Sequence, residues 1–252
     1  MRKTFISLSG GVESTTMCLL YGENASAIWC DTGAEHKIMY DRIDFLEKKL
    51  QEIYKDFKII RLKNEKHIGL EEYVIKRKFM PSGMQRYCTR LFKIEPIDAF
   101  LKEQGECDLL IGFNADEEDR IGNLKKLSNV NYRYPLIEDG FTRNDCEIIL
   151  NNKGFHPNFP AYMLRGGCRM CFFKSEKEYK ALWFLNREEF NEMIDFETKY
   201  QDTRSKKYTI LNNKSLMDIN NECQQSLFYD EIVEMLNQYK KQNNSCGAFC
   251  HR

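Results

Sequence analysis

Leu8-Ser9-Gly10-Gly11-Val12-Glu13-Ser14-Thr15 follows one apolar run, Phe5-Ile6-Ser7-Leu8, and precedes another, Met17-Cys18-Leu19-Leu20. The first run reads as a short buried strand over residues 4–8 and the second as part of a helix over about residues 14–21. Glycines between a strand and a helix let the backbone curl close to a guest. The first turn of the helix presents amides that have no intrahelical acceptor. With the helix dipole behind them, those amides attract an anion, phosphate or sulfate above all, and Ser9 and Ser14 add hydroxyl donors. The lysine that a Walker-type loop requires after its second glycine is absent, so the common nucleoside-triphosphatase loop is a poor match. The bland alternative is a tight turn whose serine caps a helix.

Outward from this turn the chain alternates. Residues 25–30 read as a second strand, and a helix follows on which Ile38, Ile43, Leu46, Leu50 and Ile53 recur at helical spacing. Residues 58–62 and 108–113 supply a third and a fourth strand. Strands alternating with helices imply parallel pairing through right-handed crossovers, hence an α/β fold, a Rossmann-like α/β/α sandwich with a mainly parallel sheet. Thr142, three residues before Asp145, predicts the capping box of a helix that ends near Gly154. Beyond about Phe155 the alternation stops and aromatic and charged helical stretches take over. The expected division is therefore a first domain over residues 1–155 and a small, mostly helical C-terminal lobe and tail over residues 156–252.

At 252 residues and 42% hydrophobic, the chain can bury a substantial core. Its 38 basic side chains balance 38 acidic ones, which removes any global electrostatic footprint for nucleic acid or a lipid surface and leaves only local patches. No apolar run approaches the length of a membrane span, and the N-terminal one is broken too soon for a signal peptide, so no membrane partner and a cytoplasmic location are expected. Ten cysteines in a reducing compartment point to metal or catalytic thiols rather than a disulfide framework. Cys168 and Cys171, after Gly166-Gly167, are spaced so that one turn brings both sulfurs to one ion. Cys18, Cys107, Cys146 and Cys223 read as core fillers, and Cys30, beside Asp31, stays open. Arg86, Arg90 and Lys93 fall near Cys88 and after Lys76-Arg77-Lys78, with Phe79 and Tyr87 interleaved. That mixture is either an anion or nucleic-acid platform or a solvated basic face.

Several stretches, in order along residues 4–174, resemble one family. Ser9-Gly10-Gly11-Val12-Glu13-Ser14 is similar to the SGGxxS pyrophosphate-binding loop of the adenine nucleotide alpha-hydrolase-like (PP-loop) enzymes. Asp31-Thr32-Gly33, the segment Cys88-Thr89-Arg90-Leu91-Phe92-Lys93, Ile111 to Glu117, Tyr134-Pro135-Leu136-Ile137 and Cys168-Arg169-Met170-Cys171 resemble elements of its phosphoadenylylsulfate (PAPS) reductase branch. Two departures stand out: Asn114 occupies the family's arginine position in GxR, and a single Cys88 stands where iron-sulfur members carry paired cysteines.

The resemblance implies an adenine nucleotide, ATP or a sulfonucleotide, held by Ser7, Ser9, Gly10, Gly11, Val12, Glu13, Ser14 and Gly112, with Asp31 as a magnesium or ribose contact. It implies a [4Fe-4S] cluster on Cys88, Cys168 and Cys171, with Cys246 as a further ligand, or zinc on the same kind of set. Tyr134 to Ile137 corresponds to the family's strand before a helix. Cys246, followed by Gly247, resembles the family's C-terminal cysteine and is a candidate nucleophile; Arg90 and Lys93 join it as catalytic candidates. Zinc on Cys168, Cys171, Cys246 and Cys250 is a third reading of the tail. Three functions follow: an ATP-dependent adenylating sulfurtransferase with a nucleic-acid or nucleotide acceptor and a cysteine-desulfurase-like partner; a sulfonucleotide reductase with a thioredoxin-like partner; or a nucleotide-binding zinc module without turnover.

Overall fold

Five strands pair in parallel in the order β3-β2-β1-β4-β5: β1 (Lys3–Ser7), β2 (Ala25–Cys30), β3 (Ile59–Leu62), β4 (Cys107–Leu110) and β5 (Val130–Arg133). The computed structural model describes residues 2–123, 126–164, 166–202, 209–211 and 214–225. Helices α1 (Val12–Tyr21), α2 (Lys37–Gln51) and α7 (Arg143–Lys153) cover one face of the sheet, where Ile6, Ala27, Trp29 and Leu110 meet Met17, Leu46, Leu50 and Leu150. On the other face Phe5, Ile28 and Leu109 pack with Leu101 of α5 (Glu95–Glu103). Sequence neighbours such as Phe5 and Ile6 thus serve opposite faces, as the two-residue strand period requires. With both faces buried, this is a Rossmann-like α/β/α sandwich.

The chain forms two compact units. The first takes residues 2–65 and 89–158, and the second residues 66–88 and 159–225. The expected division after residue 155 is linear; the second unit also takes the excursion that carries α3 (Leu70–Arg77). There α3 joins α8 (Glu176–Leu185), α9 (Arg187–Asp202) and α10 (Leu216–Gln225) around Val74, Tyr179, Phe190, Tyr200 and Ile219, each fully or almost fully buried. The Met80 amide donates to the Tyr200 hydroxyl at 3.1 Å, tying the excursion to α9. Among the described residues, no helix is long and apolar enough to cross a membrane.

Local differences from the expected elements have local causes. Helix α1 starts at Val12, two residues early, because Gly11 rather than a serine is its N-cap and no side chain caps it. Ile53 lies beyond α2 and is half exposed, while Met39 takes the buried position. Strand β5 was masked in the pattern by polar residues, since only Val130 of its four residues is buried. Tyr134-Pro135-Leu136-Ile137, expected as a strand, instead contains the start of a single helical turn, α6 (Pro135–Glu138). A proline's fixed φ and missing N–H suit the first helical position. The helix expected from Thr142 runs Arg143–Lys153, with the Thr142/Asp145 capping box formed and Gly154 left-handed after it.

Candidate nucleotide site

The strand order reverses between β1 and β4, and in an open α/β sheet that switch point, at the carboxyl ends of the strands, is where a ligand crevice opens. A small concavity lies there, with Ser7, Ser9, Glu13 and Ser14 on one side and Ile111, Gly112 and Phe113 on the other. Gly10 is left-handed, at φ 79°, and a Cβ on it would stand 2.8 Å from Met39 Cε of α2. The turn therefore needs glycine for its conformation, and a side chain there would also have to displace the end of Met39. A Cβ on Gly112 would meet the Ser14 amide at 3.3 Å, so the segment after β4 also approaches α1 as closely as a glycine allows.

The first bond within α1 is the Thr15 amide to the Gly11 carbonyl, 3.0 Å, so the amides of Val12, Glu13 and Ser14 precede any intrahelical acceptor. Ser9 and Ser14 share a hydroxyl contact of 3.0 Å, and the Ser9 amide donates to Ser14 Oγ at 3.1 Å. The Gly11 amide in turn donates to Ser9 Oγ at 3.4 Å. The two serines thus brace the turn, and their hydroxyls line the concavity. Val12, by contrast, is buried in the core.

Glu13 is the acidic member of this loop, and its charge is answered. Its Oε1 accepts from Asn114 Nδ2 at 3.2 Å and from the Arg143 guanidinium, which also bonds Glu147 at 3.0 Å. Burial works against the Arg143 cation, but Glu13 and Glu147 outweigh it and raise its pKa. Asn114 Oδ1 accepts the Asp116 amide, so both ends of its amide group are committed. Arg143 lies outside every motif of the sequence. A signal for it exists: a cation at the first position of a helix opposes the helix dipole, so an arginine directly after a threonine cap calls for carboxylate partners.

Asp31, at the end of β2, is buried, and its oxygens are taken. Oδ1 accepts from the Gly33 amide and the Tyr40 hydroxyl, each at 2.8 Å, and Oδ2 pairs with Lys63 at 2.9 Å. Burial alone would raise its pKa; Lys63, Gly33 and Tyr40 outweigh it and hold the carboxyl below its ordinary value. The N-cap of α2 is His36, so Asp31 is not a helix cap. Cys30, left open by the sequence, donates Sγ–H to the Lys93 carbonyl at 3.5 Å, and burial pushes its pKa up to about 12, which makes it an inert thiol. That carbonyl belongs to a widened helical turn, Arg90–Ile94, whose Leu91 carbonyl is taken by Asn64 at 2.6 Å. Arg90 is exposed, 3.8 Å from Glu95.

Cys88, Cys168 and Cys171 belong to the second unit. The Cys171 amide donates to the Cys168 carbonyl at 3.2 Å, which makes the expected turn. The turn is held by side chains: Arg169 makes a two-pronged pair with Glu71 of α3, at 2.6 and 2.9 Å, and a further bond to Glu192 of α9. Those carboxylates, Glu71 foremost, raise the arginine's pKa further. Buried Lys174 donates to the Tyr162 carbonyl and lies near Glu178 and both thiols; burial lowers its pKa against their pull. Among the described residues no three His, Cys, Asp or Glu side chains meet as a metal-holding group. Cys246 and Cys250 lie outside the described residues. Cys18, Cys107, Cys146 and Cys223 are buried, as expected of core thiols.

Two curated relatives are the uncharacterized proteins MJ0973 and MJ0066 of Methanocaldococcus jannaschii. The first is 27% identical over 201 residues, 75% of this chain and 46% of its own length; the second is 25% identical over 202 residues, 72% and 40%. The chain thus spans less than half the length of either relative. Among solved structures, the crystal structure of phosphoadenylyl-sulfate (PAPS) reductase from Candida auris, phosphate complex, is similar with a TM-score of 0.44 at 16% identity, covering 61% of this chain and 74% of that one. Residues 3–133, over half of the 252, match the phosphoadenosine phosphosulfate reductase domain, and the chain belongs to that family.

Proposed function

We propose that the first unit binds ATP through its phosphates at Ser9–Ser14 and that the protein is an adenylating sulfurtransferase acting on a nucleic acid or nucleotide. The observation that carries the reading is the glycine turn at the switch point, where a left-handed Gly10 leads into an α1 start without a side-chain cap and Ser9, Glu13 and Ser14 line one concavity. An oxygen of the acceptor attacks the α-phosphorus of ATP, the bond to pyrophosphate breaks, and pyrophosphate leaves onto the loop. A sulfur nucleophile then forms the carbon–sulfur bond as AMP departs. Asp31 would meet magnesium or ribose only by exchanging its bond to Lys63.

Cys168 and Cys171 are the sulfur-handling thiols of this reading, and Cys246 the third. A cluster or zinc site would need ligands beyond the two sulfurs of the turn. The cysteine-desulfurase-like donor and the nucleic-acid acceptor are part of the same proposal. The second reading, reduction of a sulfonucleotide to sulfite with a thioredoxin-like partner, draws on family membership. Against it, Asn114, at the family's arginine position, is committed to Glu13 and the Asp116 amide, and offers an anion no charge.

The test is anaerobic incubation with ATP or with a sulfonucleotide. Pyrophosphate release that depends on a nucleic-acid or nucleotide acceptor is the expected result, and sulfite from the sulfonucleotide in its place overturns the reading. Iron and zinc content of the same preparation decides whether a metal accompanies the thiols.

A further inference from the structure

Arg42 of α2 is buried, only 8% exposed, and its stem runs behind the glycine turn: its Cγ would lie 3.8 Å from a Cβ on Gly10. Its guanidinium donates to Thr15 Oγ1 of α1 at 3.4 Å and to the Phe155 carbonyl, and stands 5.6 Å from the Phe45 ring. All of these partners are neutral. Among the described residues no carboxylate pairs with it, and its Nε has no hydrogen-bond partner. Other charges near the loop are matched, Glu13 by Arg143 and Asp31 by Lys63.

A buried cation without a counter-charge is costly, and one beside the first turns of a helix also adds to the positive end of that helix's dipole. Burial lowers the Arg42 pKa only to about 10, so the group stays charged at neutral pH. Sheltered from solvent, its field is weakly screened by salt. We propose that Arg42 is an electrostatic positioning residue: the protein leaves its charge without a carboxylate, and the phosphate or sulfate group held by the glycine turn answers it. The inference rests on the anion-binding reading of that turn and adds a source of affinity that does not touch the ligand.

Calorimetric titration with inorganic pyrophosphate and with ATP tests it on the full chain and on Arg42→Met, Arg42→Gln and Arg42→Lys. Loss of the charge in Arg42→Met should weaken pyrophosphate binding by roughly tenfold, while Arg42→Lys, which keeps the charge, stays within about threefold of the unaltered protein. The free Arg42→Met protein should melt no lower than the unaltered one, because an unmatched buried charge has gone. Should Arg42→Met fail to fold, Arg42→Gln, which can still bond the Phe155 carbonyl, decides in its place. Unchanged pyrophosphate affinity in the uncharged variants overturns the inference and leaves Arg42 a purely structural side chain. If the unaltered protein binds neither pyrophosphate nor ATP, the reading of the glycine turn itself fails and takes this inference with it.

Discussion

Two turns hold the candidate residues, one in each unit, and they are built by opposite means. At Ser9–Ser14 the backbone does the building: a left-handed glycine, a helix start without a side-chain cap, and Gly112 opposite, where an added Cβ would stand 3.3 Å from the Ser14 amide. At Cys168–Cys171 side chains do it, with Arg169 clamped between Glu71 and Glu192. A backbone-built site fails when a single Cβ is added; a clamp of charges loosens by degrees. The first turn therefore depends above all on backbone shape, and the second on paired charges held in a fixed geometry.

The largest effect should come from shape. Gly10→Val adds a branched Cβ where φ is 79° and Met39 Cε stands 2.8 Å away, so pyrophosphate affinity should fall on the order of 100-fold or more. Titration calorimetry beside a circular dichroism check of folding measures it. A variant that folds and still binds breaks the comparison at its stronger end.

Next is the clamp. Arg169→Ala leaves Glu71 and Glu192 without their cation in a partly buried place, and stability should drop by about 1–3 kcal/mol in urea unfolding. Arg169→Lys keeps the charge but not the planar fork, so it should recover only part of that loss. Full recovery by lysine would mean that charge alone, and not two-pronged geometry, holds the cysteine turn.

The smallest effect concerns Asp31. Its folded-state pKa is depressed, so its contribution to stability is complete above the unfolded value of about 3.9 and is lost as pH falls through the lower folded value. Asp31→Asn should therefore be less stable than the unaltered protein near neutrality, and the gap should close below about pH 4. Acid titrations followed by fluorescence give the two curves, and a gap independent of pH would show that Lys63 contributes nothing through the carboxylate charge.

The sequence alone determined what depends on near neighbours: the glycine turn between a strand and a helix, the Thr142/Asp145 capping box, the Cys168–Cys171 turn and the buried thiols in apolar stretches. Each is set within a few residues by φ preference, periodicity or local hydrogen bonding. Tertiary structure decided the partners that lie far apart in sequence. Strand order set Ile111–Phe113 against Ser7–Ser14, Arg143 reached Glu13 from α7, and residues 66–88 joined the second unit. Arg42 shows the difference most plainly. Helical spacing puts it on the buried stripe of α2, between Met39 and Leu46, but only the packing of α2 against the glycine turn and Phe155 decides what its charge meets there. Long-range pairing follows from which apolar faces can be buried together, and a helix's own period does not say what will lie across from it.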